Sequence, residues 1–378
     1  MLLEERTTQC TENNVEVEDE GVVAIETPFN PNMIKIRRDP FTISELIDKM
    51  EHGEIRFDTP FQRKQDLWDA AKQSRLIESL LLKLPLPAFY FDETETDEES
   101  EVWNVIDGLQ RCSVFKNFII DKTMRLKDLE FLSKLYGNMS FDELPRMMQR
   151  RIAQTPITMY LIEKGTPDEV KFNIFKRINT GGLILTPQEI RHAMNQGVSA
   201  ELVAEMAKLP SFVKATGGII SPDRMEDREF VTRFVSFYLQ NFTDYEPDMD
   251  GFMTRGMTAI KSLTSDQRIE MKNEFDKAMR TAYEVFGDDA FRKRRRIGDR
   301  RSPINKALFE VISVWFAKCT DNERDRLVKE KDKVIEAFIS LNQDDKFYNA
   351  LSSGTGQKEN VNYRHRQIKG MINSLLKN

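Results

Sequence analysis

The sequence predicts an α+β fold, in which an N-terminal part of short strands and helices is followed by a mostly helical C-terminal part. Two observations support this prediction. Runs rich in aromatic and β-branched residues, which are typical of strands, occur up to about residue 165. Beyond that point nearly all signals are helical, with apolar residues three and four apart between capping residues and glycines.

The composition is that of a soluble, core-forming chain. The 378 residues are 40% hydrophobic and 31% charged, enough for about two or three domains. No apolar run reaches the length of a membrane span, so no membrane partner is expected. Residues 1–30 are polar and acidic, which predicts a flexible tail. Three widely spaced cysteines argue against a disulfide framework and favour a reducing, cytoplasmic location.

Strand and helix signals alternate in the N-terminal part. Leucine and isoleucine at helical spacing predict a helix that ends at Pro85. The strand-like runs 86–91 and 102–106 flank DETETDEESE at 92–101, as in a hairpin with a long acidic loop. Another strand is predicted over TPITMYLI at 155–162.

Helices are predicted from residue 166 to the end of the chain. The stretches TPDE at 166–169 and TPQE at 186–189 each combine an N-cap threonine, a proline and a glutamate, as helix starts do. Further helical segments are predicted at 226–241, 266–286, 303–319, 322–342 and 361–376.

The stretch NVIDGLQRCSVF at 104–115 has a strand–turn–helix layout. Asp107 and Gln110 lie three apart, so a capping box explains both. It does not explain Arg111, which opposes the helix dipole, or the need for Gly108. A phosphate at the helix start would explain these two residues, because free amides and a guanidinium both bind anions. The local residues alone favour the cap over the phosphate site.

Two other stretches carry similar residues. FQRKQDLW at 61–68 contains Gln62 and Arg63, and FKRINTGG at 175–182 places Arg177 and Asn179 beside paired glycines. Each stretch by itself is compatible with an ordinary surface or helix end.

In their order along the chain, these motifs resemble the N-terminal domain of GmrSD-type, modification-dependent restriction enzymes and, more distantly, the ParB/sulfiredoxin fold. The matching elements are Gln62-Arg63 with Trp68, Pro85-Leu-Pro87, Asp107-Gly-Leu-Gln-Arg111, Arg177-Ile-Asn179-Thr-Gly-Gly182, and Leu185 with Glu189-Ile-Arg191. Leu109 stands where the family has a glutamine, and a leucine cannot make that side chain's polar contacts.

The resemblance covers about residues 35–240. It implies the following division of the chain into domains. A ParB-like α+β domain is expected over 31–165. The helical region 166–378 is expected to complete that family core with residues 166–240 and to form a C-terminal helical domain over 241–378.

The resemblance also implies binding and hydrolysis of a nucleoside triphosphate with Mg²⁺, coupled to action on modified or foreign DNA. Asp107 would hold the metal through water or orient the attacking water, and Arg111 would neutralise phosphate charge. The residues implied in this site are Asp107, Gln110 and Arg111 for catalysis, and Gln62, Arg63, Gly108, Arg177 and Asn179 for phosphate binding.

A basic block marks the C-terminal part. RKRRRIGDRR at 292–301 has seven bases and one acid, whereas the whole chain has a net charge of −6. Clustered bases are typical of nucleic-acid contacts, and a solvated loop or helix face is the alternative. The residues expected to contact DNA are Arg292, Lys293, Arg294, Arg295 and Arg296.

The histidine content bears on the chemistry. Since His52, His192 and His365 are far apart in sequence, a built-in HNH nuclease is not expected, and a separate nuclease subunit would cut the DNA. A sulfiredoxin-like role for Cys112 is disfavoured because the cysteine follows Arg111 rather than preceding it.

The predicted function is therefore a nucleotide-binding, NTP-hydrolysing and DNA-associated component of a bacterial or phage-related antiviral defence or restriction-modification system. The alternative is a non-catalytic DNA-binding or adaptor protein on the same fold. A homo-oligomer is compatible with the sequence, which does not specify the nucleotide, the DNA modification or the partner.

Overall fold

The computed structural model describes residues 14–19, 34–56, 68–93, 102–178, 186–195 and 197–377. The chain divides into two compact units. The sheet unit comprises Pro28–Leu185 and His192–Met194, and the helical unit comprises Met1–Thr27, Thr186–Arg191 and Asn195–Asn378. An α+β N-terminal domain and a helical C-terminal region, as the sequence predicts, are thus confirmed.

In the described ranges of the sheet unit, one mixed sheet has the strand order β1-β5-β3-β4-β2. The strands are β1 Ile36–Thr42, β2 Ile55–Arg56, β3 Phe89–Glu93, β4 Trp103–Asp107 and β5 Pro156–Ile162. Strands β3 and β4 pair in antiparallel fashion, which confirms the predicted hairpin, and residues 94–101 of its loop lie outside the described residues. Strand β5 pairs antiparallel with β1 and parallel with β3.

Period-two alternation buries one face of this sheet. Phe89, Phe91, Val105, Met159 and Leu161 belong to a single hydrophobic core. The helices of the sheet unit are α1 Ile43–Glu51, α2 Ala70–Leu81, α3 Leu109–Phe115, α4 Ser133–Tyr136, α5 Arg146–Ala153 and α6 Asp168–Ile178.

Strand β1 was not predicted, because its residues do not alternate in polarity. The stretch Arg37–Pro40 holds three charged residues and a proline. Among the described strands, β1 lies at the end of the sheet and pairs with β5 alone, and an edge strand tolerates a proline.

A buried glutamate joins α2 to the loop before α4. Glu78 Oε1 accepts hydrogen bonds from the amides of Phe131 and Leu132 at 2.7 and 2.8 Å, and Oε2 accepts from the Glu130 amide at 3.0 Å. Burial raises the pKa of Glu78, but the three amides outweigh it and lower the pKa below its usual value. The carboxylate is therefore charged at neutral pH and holds this loop in place.

The helical unit packs around one aromatic core. Phe230, Phe234 and Phe237 are buried there, as is typical of core positions. The helices that lie wholly or partly in this unit are α7 Pro187–Met194, α8 Val198–Ala207, α9 Pro210–Ala215, α10 Glu226–Leu239, α11 Met249–Ala259, α12 Ser265–Phe286, α13 Lys306–Ala317, α14 Asp321–Lys329, α15 Lys331–Gln343, α16 Asp345–Ala350 and α17 Lys358–Lys377.

Two helix predictions can be compared closely with the structure. The capping box at 186–189 is present. The Thr186 hydroxyl accepts a hydrogen bond from the Glu189 amide, and the Glu189 carboxylate accepts one from the Thr186 amide. The segment predicted as one helix over 322–342 is two helices, α14 and α15, because Glu330 adopts φ −101° and ψ 27° and separates them.

The predicted flexible tail over residues 1–30 needs a correction where the structure describes it. Residues 14–19 lie on the helical unit, where Val15 forms a bridge with Ile304 and Glu18 pairs with Arg233. Two acidic residues that look solvated in the sequence, Glu16 and Glu18, are held there by Lys293 and by the buried Arg233 of the helical unit.

We expect Glu78→Gln to destabilise the sheet unit by about 1–3 kcal/mol at pH 7, because a neutral amide offers one acceptor oxygen where the carboxylate offers two. The stabilisation by the lowered Glu78 pKa is fully present above the unfolded value of 4.5 and is lost as the pH falls through the folded value. Urea unfolding should therefore separate the two proteins at pH 7 and less so near pH 4. The control is exposed Glu130→Gln, which keeps its amide; an equal loss in both variants would contradict this role for Glu78.

Candidate functional site

The turn between β4 and α3 is tight because of one glycine. Gly108 has φ 105° and ψ 7°, in the left-handed region that side chains disfavour, and it directly precedes α3. A Cβ at this position would lie 2.5 Å from Cδ1 of Phe89 and 3.3 Å from Nη2 of Arg111. The glycine is therefore required by the packing of two side chains of the chain itself, in addition to any close approach of a ligand.

Arg111 is buried beneath this turn, with a side chain that is 9% exposed. Its Nη1 donates to the Pro87 carbonyl, and its Nη2 donates to the Ala88 carbonyl at 3.1 Å and to Asp107 Oδ2 at 2.9 Å. The guanidinium carbon lies 4.2 Å from the centre of the Phe89 ring, in cation–π contact. Arg111 thus joins the residues before β3 to the end of β4. The hydrogen bonds of its guanidinium described above are all made within the chain.

Asp107 takes a different role from the predicted cap. The residue before the helix is Gly108, which gives no side-chain capping bond, and the Asp107 carboxylate pairs with Arg111. The predicted capping box is therefore wrong, because the cation four residues on is a stronger partner than a backbone amide. The Asp107 side chain remains 37% exposed, so its carboxylate faces solvent while Arg111 holds it. Gln110 is half-buried in the first turn of α3.

Two tyrosines that the sequence analysis missed lie beside Asp107. Tyr90 is opposite Asp107 in the β3–β4 pairing and opposite Tyr160 in the β3–β5 pairing, and the two rings stack with centres 5.0 Å apart. Burial first, and then the neighbouring Tyr160 and Asp107, raise the pKa of Tyr90 above its usual value. Both tyrosines alternate with core residues in their strands, and this alternation is the signal that could have placed them on one face.

The same sheet face carries a buried ion pair to α6. Lys171 Nζ lies 2.8 Å from Asp92 Oδ1, and both residues are buried. This pair fixes α6 against β3. Arg177, in the last turn of α6, is exposed. The other residues predicted for the phosphate site lie outside the described residues: Gln62, Arg63 and Asn179.

The predicted DNA-binding residues form a loop before α13, and most of them have partners within the chain. Arg292 is buried and donates to the carbonyls of Asp288 and Ser302. The ion pairs of this basic loop, residues 292–301, include Lys293 with Glu16 at 2.5 Å, Arg294 with Asp289 at 3.0 Å, Arg295 with Asp345 at 2.8 Å and Arg301 with Asp288 at 3.2 Å. Arg296 is exposed. Acids from several segments therefore neutralise part of this basic loop, while Arg295 and Arg296 stay exposed, and contact with DNA remains a prediction.

Cys112 is fully buried in α3. Burial raises the pKa of its thiol to about 12, although the nearby Arg111 lowers it. The thiolate that redox chemistry requires is therefore suppressed at neutral pH, which agrees with the sequence argument against a sulfiredoxin-like role.

Among the described residues, no group of three or more His, Cys, Asp or Glu side chains could hold a metal ion. Likewise, no helix in the described ranges is long and apolar enough to cross a membrane.

Residues 43–195 match the family model described as the N-terminal domain of the GmrSD restriction endonuclease. This range begins with α1, ends just after α7 and contains the Asp107–Arg111 corner. It confirms the resemblance seen in the motifs, over less than half of the chain. A search of curated proteins gives no match. The family match suggests a protein of a restriction or defence system.

We expect Gly108→Ala to destabilise the sheet unit by about 2–4 kcal/mol, through backbone strain and collision with Phe89. Thermal unfolding measures the loss. Gly53→Ala is the matched control, because Gly53 also has a positive φ, of 72°, but nothing lies within 4 Å of its added Cβ. Equal shifts in the two variants would show that the contacts of Gly108 do not matter.

We expect iodoacetamide at pH 8 to leave Cys112 and Cys319 unmodified in the folded protein and to modify both in urea. Both thiols are buried, and burial raises their pKa to about 12 and about 11. Peptide mass spectrometry resolves each site. Rapid modification of Cys112 in the native protein would contradict this expectation and would support a redox role for the thiol.

Proposed function

We propose that this chain is a nucleotide-binding, DNA-associated component of a restriction or defence system, because residues 43–195 match the family model of the GmrSD restriction endonuclease N-terminal domain. The proposed nucleotide site is the corner between β4 and α3. Hydrolysis of a bound nucleoside triphosphate is part of the proposal, and the proposed setting is the bacterial cytoplasm.

One observation supports this site most directly: an exposed carboxylate is held rigidly by a buried guanidinium. The Asp107–Arg111 pair fixes the acid at a turn that is itself fixed by Gly108 and Phe89. Phosphoryl transfer depends mainly on positioning and charge, so a preorganised acid is the feature that such a site requires. Asp107 would orient the attacking water, and Arg111 is a positioning residue.

The charge next to Asp107 limits how it could bind a metal. Asp107 already shares Oδ2 with Arg111, and the described residues supply no cluster of further acids around it. Mg²⁺ in nucleotide sites is commonly held by one or two carboxylates together with the phosphates. The residues therefore fit a metal ion that arrives with the nucleotide and screens its phosphates, with Asp107 as the protein's contribution.

A non-catalytic adaptor is the second candidate, and the structure contains an observation in its favour. The Arg111 donors to Pro87, Ala88 and Asp107 are engaged within the protein, and Phe89 fills the space above Gly108. In this case Arg111 only stabilises the turn between β4 and α3, and the chain binds DNA or protein without hydrolysing a nucleotide.

Cutting of DNA is proposed to reside in a separate chain. His365, one of the three histidines, is fully buried between Glu310 and Trp315, where its nitrogens are hydrogen-bonded at 2.9 and 3.2 Å. Its surroundings give it a structural role. Association with a nuclease subunit, or of two copies of this chain, belongs to the same proposal.

A nucleotide panel with the purified chain, with and without DNA and Mg²⁺, tests the proposal. We expect Mg²⁺-dependent phosphate release, which Asp107→Asn lowers by about 100-fold or more because the water loses its base. The isosteric amide still accepts from Arg111, so folding should be preserved. Nucleotide binding, measured by calorimetry, should change much less than turnover.

The matched control is Asp121→Asn. The Asp121 side chain is 36% exposed and pairs with Lys116 at 3.0 Å, much as Asp107 pairs with Arg111, but it lies beyond the C-terminal end of α3, after the π-helical turn Lys116–Ile120. We expect this variant to keep full turnover. If Asp107→Asn and Asp121→Asn behave alike, or if no nucleotide binds, the non-catalytic adaptor is the better description.

A further inference from the structure

Residues 14–19 form a short acidic segment that lies along the helical unit. The Glu16 amide donates to the Ile304 carbonyl at 2.8 Å, and the Ile304 amide donates to the Asn14 carbonyl at 3.0 Å. At the other end, the Thr355 amide donates to the Asp19 carbonyl at 3.0 Å. Alternate residues face the unit: Glu16 and Glu18 point inward, whereas Val17 between them is 77% exposed.

The two inward carboxylates each meet a cation. Glu18 binds Arg233 through both oxygens, at 2.8 and 2.7 Å, and the Arg233 side chain is 2% exposed. Glu16 binds Lys293 at 2.5 Å and accepts from the Asn305 amide nitrogen at 3.1 Å. The fork-to-fork geometry at Arg233 is the one that arginine also offers to a phosphate.

The charges beneath Arg233 do not balance without Glu18. Glu310 is fully buried and is shared by Arg364, at 2.8 Å, and by Arg233, at 3.4 Å. Nearby, Glu229 is paired with Lys306 at 2.8 Å. Three cations therefore face two carboxylates, and one positive charge remains for Glu18.

Titration does not remove this surplus charge. Burial lowers the pKa of Arg233, but the carboxylates of Glu18, Glu310 and Glu229 outweigh it and raise the pKa above its usual value. His365 also contacts Glu310, and burial lowers its pKa, so this histidine is neutral and adds no charge at neutral pH.

The attachment of the segment is mostly polar. Val15 is the one apolar residue of 14–19 that packs against the core of the helical unit, and it is only partly buried. The remaining contacts are hydrogen bonds and ion pairs, for which a polyanion offers the cations equivalent acceptors. Salt screens the Lys293–Glu16 pair more than the buried Arg233–Glu18 pair. The cleft left by Glu16 would open directly onto the basic loop, where Arg295, Arg296 and Arg300 are exposed.

We infer that Arg233 and Lys293 form an anion-binding cleft, that Glu16 and Glu18 occupy it as an internal counter-anion, and that the phosphate backbone of DNA displaces them. The assignment of DNA rests on the proposed function, in which DNA is the partner. It does not depend on nucleotide binding or hydrolysis in the sheet unit. The acidic segment therefore keeps Arg233 and Lys293 from DNA until a polyanion competes for the cleft.

The test compares binding of a fluorescent DNA duplex to the full chain and to Glu16→Gln/Glu18→Gln. We expect the double variant to bind at least about 10-fold more tightly at low salt, with a log–log salt slope steeper by about 1–2, because more phosphate contacts form. Adding Lys293→Gln should remove most of this gain. Glu284→Gln/Glu336→Gln is the matched control, because it neutralises two exposed acids of the same unit and should leave affinity nearly unchanged.

A second measurement needs no variant, so that misfolding of the double variant cannot hide the answer. Hydrogen exchange of the wild-type chain should show faster exchange of the Glu16 amide when the duplex is added, since its bond to Ile304 is lost. Unchanged exchange with DNA bound, equal affinity in all variants, or equal competition by polyglutamate would overturn the inference. Phosphate release from the nucleotide is measured in a separate assay. A negative result for the DNA cleft therefore does not contradict the proposed nucleotide site.

Discussion

The buried guanidinium of Arg111 is the group on which the candidate site depends. It binds carbonyls of Pro87 and Ala88, the carboxylate of Asp107 and the ring of Phe89. A buried cation deprived of its acceptors is strongly destabilising, so the strand end, the turn and the helix start must keep one arrangement. The exposure of Asp107 follows from this arrangement, because Arg111 holds the carboxylate from beneath while its outer side remains accessible.

The helical unit is organised by a related arrangement around the opposite charge. Glu310 is fully buried and receives hydrogen bonds from Arg364 and His365, with Arg233 close by. The last of these cations, Arg233, makes its shorter hydrogen bonds with Glu18, more than two hundred residues earlier in the chain. Charged residues that would ordinarily lie on the surface are thus internal, and each lies where several segments of the chain meet.

Both candidate anion sites already hold a carboxylate of the chain itself. At the β4–α3 corner the carboxylate belongs to Asp107, which is four residues from Arg111 and cannot leave without disrupting the turn. In the helical unit the carboxylates of Glu16 and Glu18 come from a separate segment. In our proposals, a nucleotide would therefore bind beside the first pair, whereas a polyanion would exchange with the second. The two candidate sites thus differ in how far along the chain the acid lies from its cation: four residues for Asp107, and more than two hundred for Glu16 and Glu18.

The sequence by itself determined the fold class, the strands β3, β4 and β5, the capping box at Thr186 and the match of residues 43–195 to the family model. Those features follow from backbone preference and period, which neighbouring residues encode. Only the tertiary structure decided what the charged side chains do. Arg111 reaches a carbonyl 24 residues away, and Lys293 reaches Glu16 277 residues away, and no local pattern specifies such partners. The capping box at Asp107 was wrong for that reason: a charge binds the strongest partner that the fold brings near it.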